Sequence, residues 1–202
     1  MDKHCSNVRA PGARGALLAL MLMTAFICLG SVSPSTKAVA QTGEIWLLVD
    51  TTALTLTVMR GDTPVKVYPN IAIGSNGTTR EKVIRDERTP LGEFTINAIR
   101  PSTRFHRFLA IDYPNRLDIG SALIDGRISL KEYDALQGAL DKGEQPSQET
   151  AIGGYLGIHG LGTGDLEVHG AFNWTNGCIA MTNEEIDELA ESISIGTRIS
   201  IR

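Results

Sequence analysis

The chain has 202 residues, 42% of them hydrophobic, and a formal net charge of −4 at pH 7. Four of its 19 Lys and Arg residues and one of its 23 Asp and Glu residues lie in positions 1–40, so 15 positive and 22 negative side chains follow them. The resulting charge of −7 in residues 41–202 argues against nucleic acid or an anionic membrane surface as a partner.

Residues 1–40 have the pattern of an export signal. Three basic residues lie before position 15, and an apolar run over 15–30 is too short to span a bilayer comfortably. Ala38-Val39-Ala40 then offers a small-residue cleavage site before Gln41. We predict a cleaved signal peptide over 1–40 and a protein exported to the periplasm or cell-wall space. The alternative is an uncleaved membrane anchor.

Cleavage would change the meaning of the cysteine content. The chain has three cysteines, and Cys5 and Cys28 would leave with the signal peptide. Cys178 would then have no partner for an internal disulfide in an oxidising compartment. Its thiol is therefore either buried and inert or reactive and used.

From Glu44 onward the hydrophobic pattern predicts mainly β-structure. Alternating or continuous apolar runs predict strands, with a turn at Gly61-Asp62 that makes the second and third of them a hairpin. The predicted strands cover 44–50, 54–60, 65–69, 92–99, 107–114 and 197–202, and a polar loop is expected over 75–92. We predict one mainly β domain over 44–202 with two or three short peripheral helices.

Two helices are indicated by capping boxes, in which a Ser or Thr and a Glu three residues later cap the first turn. Ser129 opens the first, which Gly143 is placed to end, and Thr182 opens the second. The second helix begins soon after Cys178, so a thiolate there would gain from the helix dipole.

The stretch 155–189 contains most of the chain's chemistry. Two His-Gly pairs, His159-Gly160 and His169-Gly170, precede Cys178. An unperturbed thiol is mostly protonated at neutral pH, and a histidine can act as the base that activates it. A hairpin turning at 162–164 would bring either histidine near the sulfur, so the base assignment stays open on chemistry alone.

At these residues the sequence resembles the L,D-transpeptidase catalytic domain family (YkuD-like). The family signature is a His-Gly followed at a distance by Ser/Thr-His-Gly-Cys, and here His159-Gly160 precedes Thr175-Asn176-Gly177-Cys178. Further matches extend the resemblance over 44–202: Trp46 to Asp50, Thr89 to Phe94, Tyr113-Pro114-Asn115, Met181 and Asn183.

The resemblance implies a β-sandwich-like fold and cysteine acyl transfer on peptidoglycan stem peptides, with D-alanine release and an amine acceptor. Carried over by position, Cys178 is the nucleophile, His159 the general base, and the Gly160 carbonyl orients the imidazole. Backbone amides of Gly177 and Cys178 would form the oxyanion hole. The expected substrate-binding residues are Trp174, Thr175, Asn176, Gly177 and His169, although Trp174 is equally a candidate core residue.

Two positions depart from the family signature. Asn176 replaces the histidine before Gly-Cys, and Ala180 stands where Arg or Asn is usual, which removes a bidentate partner for a substrate carboxylate. The alternatives are a hydrolytic relative (an L,D-carboxypeptidase, amidase or endopeptidase using the same pair) and a non-catalytic wall-binding module. Labelling of the thiol by a carbapenem would separate an enzyme from a module. No histidine or cysteine pair has zinc spacing, so we expect neither a metal nor a cofactor.

Overall fold

The structure is a computed structural model that describes residues 43–202. The predicted signal peptide or anchor, with Cys5 and Cys28, lies outside the described residues. Among the described residues, no helix is long and apolar enough to cross a membrane. In chain order the elements are β1 (Ile45–Asp50), β2 (Thr55–Arg60), β3 (Thr63–Tyr68), β4 (Thr78–Thr79), β5 (Thr89–Pro90), β6 (Gly92–Ser102), β7 (His106–Ile111), α1 (Arg116–Ile124), α2 (Leu130–Asp141), β8 (Gly157–His159), α3 (Leu166–Ala171), β9 (Ile179–Ala180), α4 (Asn183–Ser192) and β10 (Arg198–Ile201).

Eight of these strands form one mixed sheet in the order β3-β2-β1-β10-β6-β7-β8-β9. β1 pairs with β10 and β8 pairs with β9 in parallel, and the other neighbours are antiparallel. The mainly β prediction is confirmed, as is the β2–β3 hairpin. The loop expected over 75–92 instead contains β4 and β5, which pair in parallel as a small second sheet.

The main core follows the alternation read from the sequence. Because successive side chains of a strand point to opposite faces, the apolar positions of each strand share one buried face. Leu47 and Val49 of β1 are fully buried, and α4 packs on the same cluster through Ile186 and Leu189. A second, smaller cluster forms between α1 and α2, with Ile119, Ala122, Ile128, Leu136 and Ile152 as its buried members.

The helices α2 and α4 begin where the capping boxes predicted. Ser129 accepts from the Glu132 amide and Thr182 from the Glu185 amide, and each glutamate reaches back to its cap. The structure has four helices within residues 43–202, so the predicted two or three were too few. α1 has no such sequence signal, because its cap is Asn115, outside the Ser/Thr pattern, and because Leu117 and Ile124 are exposed and break the apolar stripe.

The end of the sheet at β8 and β9 holds the segment that the sequence analysis singled out. β8 and β9 are three and two residues long. Residue 72 extends this edge, because Ala72 and Ala180 exchange two backbone hydrogen bonds of 2.9 and 2.8 Å. β9 is thus hydrogen-bonded to β8 on one side and to Ala72 on the other, which fixes the backbone that directly follows Cys178.

Candidate active site

Cys178 and His159 face one cleft at the edge of the sheet that β8 and β9 form. His159 pairs with Ala180 in this parallel ladder, and Cys178 lies two residues before Ala180. β9 begins at Ile179, so Cys178 lies directly before the strand that pairs with His159. Both line a cleft of about 600 Å³ that Tyr155, Trp174, Thr175 and Asn176 also border.

The His159 ring is held in one tautomer. Its Nδ1 lies 2.7 Å from the Gly160 carbonyl oxygen. A carbonyl only accepts hydrogen bonds, so Nδ1 carries the proton and Nε2 of the neutral ring is free to act as a base. Burial lowers the pKa of His159, and the charge of Arg104 and the neighbouring His169 ring lower it further, against the opposing effect of the Gly160 carbonyl. The imidazole is therefore neutral at neutral pH.

Aromatic rings fix the position of this imidazole. Phe105, in the turn between β6 and β7, stacks on His159 with ring centroids 4.1 Å apart. Asp187 of α4 holds that turn, because its carboxylate accepts from His106 Nε2 and from Arg107 Nε, each at 2.6 Å. These two hydrogen bonds lower the pKa of Asp187, which stays charged.

Cys178 is partly buried and its thiol is protonated in this environment. Sγ donates a long hydrogen bond of 3.6 Å to the Tyr155 carbonyl. Burial raises the pKa of the thiol to about 11, against the opposing effects of the Gly157 backbone and the Lys82 charge. Neither of the described histidines around the site is hydrogen-bonded to the sulfur. The expected gain from the α4 dipole does not dominate, because β9 and two further residues separate Cys178 from that helix.

The turn before Cys178 is fixed by Thr175. This buried hydroxyl accepts from the Gly177 amide at 3.1 Å and donates to the Cys178 carbonyl at 2.6 Å. The Gly177 amide was expected in the oxyanion hole, but it is already engaged with Thr175. The Cys178 amide is the member of the expected pair that Thr175 leaves free. Gly177 has φ +118°, and a Cβ there would lie 2.6 Å from the Arg88 carbonyl oxygen, so the turn requires glycine.

Of the two expected substrate-binding residues Trp174 and His169, only Trp174 borders the cleft. Trp174 lines the cleft and meets His159 edge-on, with centroids 5.8 Å apart. His169 does not line the cleft: it is buried in α3 and its Nδ1 lies 3.4 Å from Trp174 Nε1, which donates to it. Residues 162–164 do not turn a hairpin: they belong to a turn closed by the Gly164 amide and the Leu161 carbonyl, and α3 follows with Asp165 as its cap. Burial lowers the pKa of His169. A neutral His169 ring agrees with its role as the acceptor of the Trp174 hydrogen bond.

Several cleft residues were missed by the sequence analysis. The polar loop between β4 and β5 contributes Lys82, which is 4% exposed, and the β6–β7 turn contributes Phe105. Ala180 is fully buried in the bridge to Ala72, so the family's usual Arg or Asn has no counterpart in the cleft at that position. Within residues 43–202, no group of three or more His, Cys, Asp or Glu side chains is arranged to hold a metal ion.

Fold and site together define a class of protein: a mixed β domain in which a histidine ends one strand and a cysteine directly precedes the neighbouring parallel strand, both facing one cleft. The family model of the L,D-transpeptidase catalytic domain (YkuD) matches residues 44–201, and the chain belongs to this family. The resemblance seen in the sequence is thereby confirmed. No curated protein matches the sequence.

Solved structures share the fold at low sequence identity. Bd1075 of Bdellovibrio bacteriovorus is 19% identical with a TM-score of 0.50, and the match covers 80% of this chain and 48% of that one. The helical cell shape determining protein Pgp2 of Campylobacter jejuni is 18% identical with a TM-score of 0.52, covering 80% and 51%. The chain therefore spans about half the length of these proteins, and the likeness supports the fold.

Proposed function

We propose that the protein is an exported cysteine acyl-transferase of the L,D-transpeptidase type that acts on peptidoglycan stem peptides. Family membership supports the reaction class. The observation that carries the proposal is the presence in one cleft of Cys178 and a neutral His159, whose Nδ1 is bound to the Gly160 carbonyl and whose Nε2 is left as a base. A non-catalytic wall-binding module has no use for a free thiol beside an oriented imidazole.

In the proposed acylation step, the proton of Sγ moves to His159 Nε2 while the sulfur attacks the carbonyl carbon of the L,D peptide bond. The Cys178 amide stabilises the oxyanion that forms. Collapse of this intermediate breaks the C–N bond, and His159 returns the proton to the departing amine of D-alanine. The acyl group is then held as a thioester on Cys178.

In the proposed second step, an acceptor amine attacks the thioester and His159 takes a proton from that amine. The new amide forms as the C–S bond breaks, and the thiol recovers its proton. Trp174 and Asn176 border the cleft beside the thiol, where they can contact the stem peptide.

A hydrolytic reaction is the second candidate. Water would then attack the same thioester and release a shortened peptide. The observation that favours it is the absence of the usual arginine or asparagine at the buried Ala180, because such a residue could hold the carboxylate of a peptide ligand. The two reactions share acylation and differ only in what resolves the thioester.

The test uses protein recovered from the extracytoplasmic fraction of cells that produce the full chain, and its N-terminal sequence reports whether it begins near Gln41. Incubation with a disaccharide-tetrapeptide followed by mass spectrometry should detect D-alanine and a cross-linked dimer. A tripeptide product without dimer would favour hydrolysis. Cys178→Ala is the control, and labelling of wild-type protein by a carbapenem should add one acyl group. If folded wild-type protein released no D-alanine and formed no carbapenem adduct, the proposal would be contradicted.

A further inference from the structure

Lys82 is a buried lysine that the acyl-transfer mechanism does not use. It lies in the polar loop between β4 and β5, is 4% exposed, and lines the cleft that contains Cys178. A lysine is rarely buried to this extent unless it is paired, because an ammonium loses its hydration when it leaves water. Such a residue calls for a physical reason.

Asp86 is the ion-pair partner of Lys82 in this position. The Lys82 ammonium and the Asp86 carboxylate form an ion pair whose side chains are 5% and 12% exposed. The same carboxylate accepts from the amides of Val83 at 3.0 Å and Arg88 at 2.9 Å. The loop is therefore wound around Asp86, with the ammonium fixed at its inner side.

The loop places this ammonium against the turn that carries the nucleophile. A Cβ atom at Gly177 would lie 3.2 Å from Lys82 Nζ, so the ammonium is in contact with the residue directly before Cys178. The adjoining Arg88 carbonyl packs on the same glycine. Although Lys82 and Cys178 are far apart in the sequence, the fold brings the ammonium to the residue that directly precedes the thiol.

The other charged groups around the cleft differ from Lys82 in their exposure. Arg85, Glu87, Arg104 and Glu149 line the cleft and are all exposed, so water screens their effect on the sulfur. His159 is neutral for the reasons given above. Among the described residues of the cleft, Lys82 is the buried cation, and its charge is screened least.

We propose that Lys82, held against Gly177 by Asp86, is a positioning residue whose positive charge stabilises the anionic sulfur and the oxyanion at Cys178. During acylation, the proton leaves Sγ for His159 and negative charge passes from the sulfur to the carbonyl oxygen of the substrate. A fixed cation beside this path favours both anionic states over the neutral thiol. Asp86 moderates the effect because it offsets part of the ammonium charge.

Removing Lys82 and removing the charge of Asp86 should change the reactivity of the Cys178 thiol in opposite directions. Lys82→Met removes the cation, and alkylation of Cys178 by iodoacetamide at about pH 8 should slow about tenfold, since an opposite charge nearby changes thiolate stability by that order. Asp86→Asn leaves the ammonium unopposed, and alkylation should become faster. Lys82→Arg retains the charge and should stay within about threefold of wild type. A loop with only a structural role gives no reason for opposite shifts.

The experiment measures the alkylation rate of the Cys178 peptide by mass spectrometry from about pH 6 to pH 10.5, with thermal unfolding of each variant as the check on folding. Lys66→Met is the matched control, because Lys66 is an exposed lysine that pairs with Glu188 outside this cleft, and its rate should not change. Rates that move in the same direction in Lys82→Met and Asp86→Asn, or an unchanged rate in folded Lys82→Met, would overturn the proposal. If Lys82→Met does not fold, Asp86→Asn decides: a faster rate supports the proposal and an equal or slower one rejects it.

The proposed role of Lys82 rests on the proposed acyl-transfer function, but the alkylation experiment can be done whether or not the protein transfers acyl groups. Alkylation needs no peptide substrate, so an active acyl-transferase with no Lys82 effect and an inactive protein with a clear Lys82 effect are distinguishable results. Where acyl transfer is observed, Lys82→Met should also lower the rate of carbapenem acylation by the same factor as the rate of alkylation.

Discussion

Replacing His159 by glutamine tests whether this imidazole is the base that activates Cys178. Glutamine retains a planar polar group of similar size between Phe105 and Trp174, but it cannot accept a proton near neutral pH. His169→Gln is the matched control, because His169 is also a buried histidine near Trp174 yet lies outside the cleft.

The size of the effect follows from the state of the thiol. With a pKa of about 11, only ~1 in 10⁴ Cys178 side chains is a thiolate at pH 7. Without a base, acylation must proceed through this small fraction, so His159→Gln should lose about 10²–10⁴-fold at pH 7, the range that general-base assistance contributes. The remaining rate should rise about tenfold per pH unit up to about pH 10, as the thiolate fraction does.

The wild type should have a different pH dependence. General-base activity needs the neutral imidazole, and the pKa of His159 lies below its usual value of 6.5. The acylation rate should therefore hold down to pH 6.5 and fall only at lower pH, where the ring takes up a proton. Rates of carbapenem adduct formation, followed by intact mass across this range, measure both profiles. A folded His159→Gln within about fivefold of wild type at pH 7, or an equal loss in His169→Gln, would refute the assignment.

Three further changes test other parts of the site and fold. Cys178→Ala should abolish acylation while the circular dichroism spectrum stays as in wild type, and residual turnover would remove the thiol from the mechanism. Asp187→Asn should slow acylation severalfold, because the turn carrying Phe105 loses its anchor beside His159. Tm should fall by no more than about 4 °C, since exposed ion pairs contribute about 0–1 kcal/mol to the free energy of unfolding. An unchanged acylation rate would contradict this prediction. Burial raises the pKa of Asp118 to about 6. Ionisation of this carboxyl in the folded protein therefore costs stability as pH rises from about 4 to 6. Asp118→Asn should add about 1–2 kcal/mol to the free energy of unfolding at pH 7 and little at about pH 3.5, as measured by thermal unfolding. A gain at both pH values would show a different cause.

The sequence predicted those parts of the fold that depend on neighbouring residues. The hairpin of β2 and β3 was visible in the alternation around Gly61, and the starts of α2 and α4 were visible in their capping boxes. Both are local signals, in which a turn or a cap is formed by residues within a few positions of each other. The spacing of the two motifs, through the family resemblance, pointed to the two residues, His159 and Cys178, that line one cleft beside β8 and β9.

Other parts of the site depend on contacts between distant segments and gave no local signal. Lys82 reads as one residue of a polar loop, and only the folded chain places it on Gly177. His169 precedes a glycine just as His159 does, but the Asp165 cap starts a short helix that turns it away from the cleft. The Gly177 amide could not be assigned from the motif, because its partner depends on the rotamer of Thr175.

The protonated state of Cys178 bears on how its thiol can stay unmodified in the proposed extracytoplasmic location. The thiolate is the form that oxidants and alkylating agents attack, so a thiol whose pKa is raised by burial is protected while the cleft is empty. The same burial makes His159 neutral and therefore a competent base. The protection of the thiol and the basicity of His159 thus have one cause, because the buried environment disfavours charge on both side chains. The reaction begins only when an electrophilic carbonyl lets the proton and the electron pair move together. In this arrangement a fixed cation such as Lys82 matters most, because it favours the charge that appears during attack without having to generate a free thiolate beforehand.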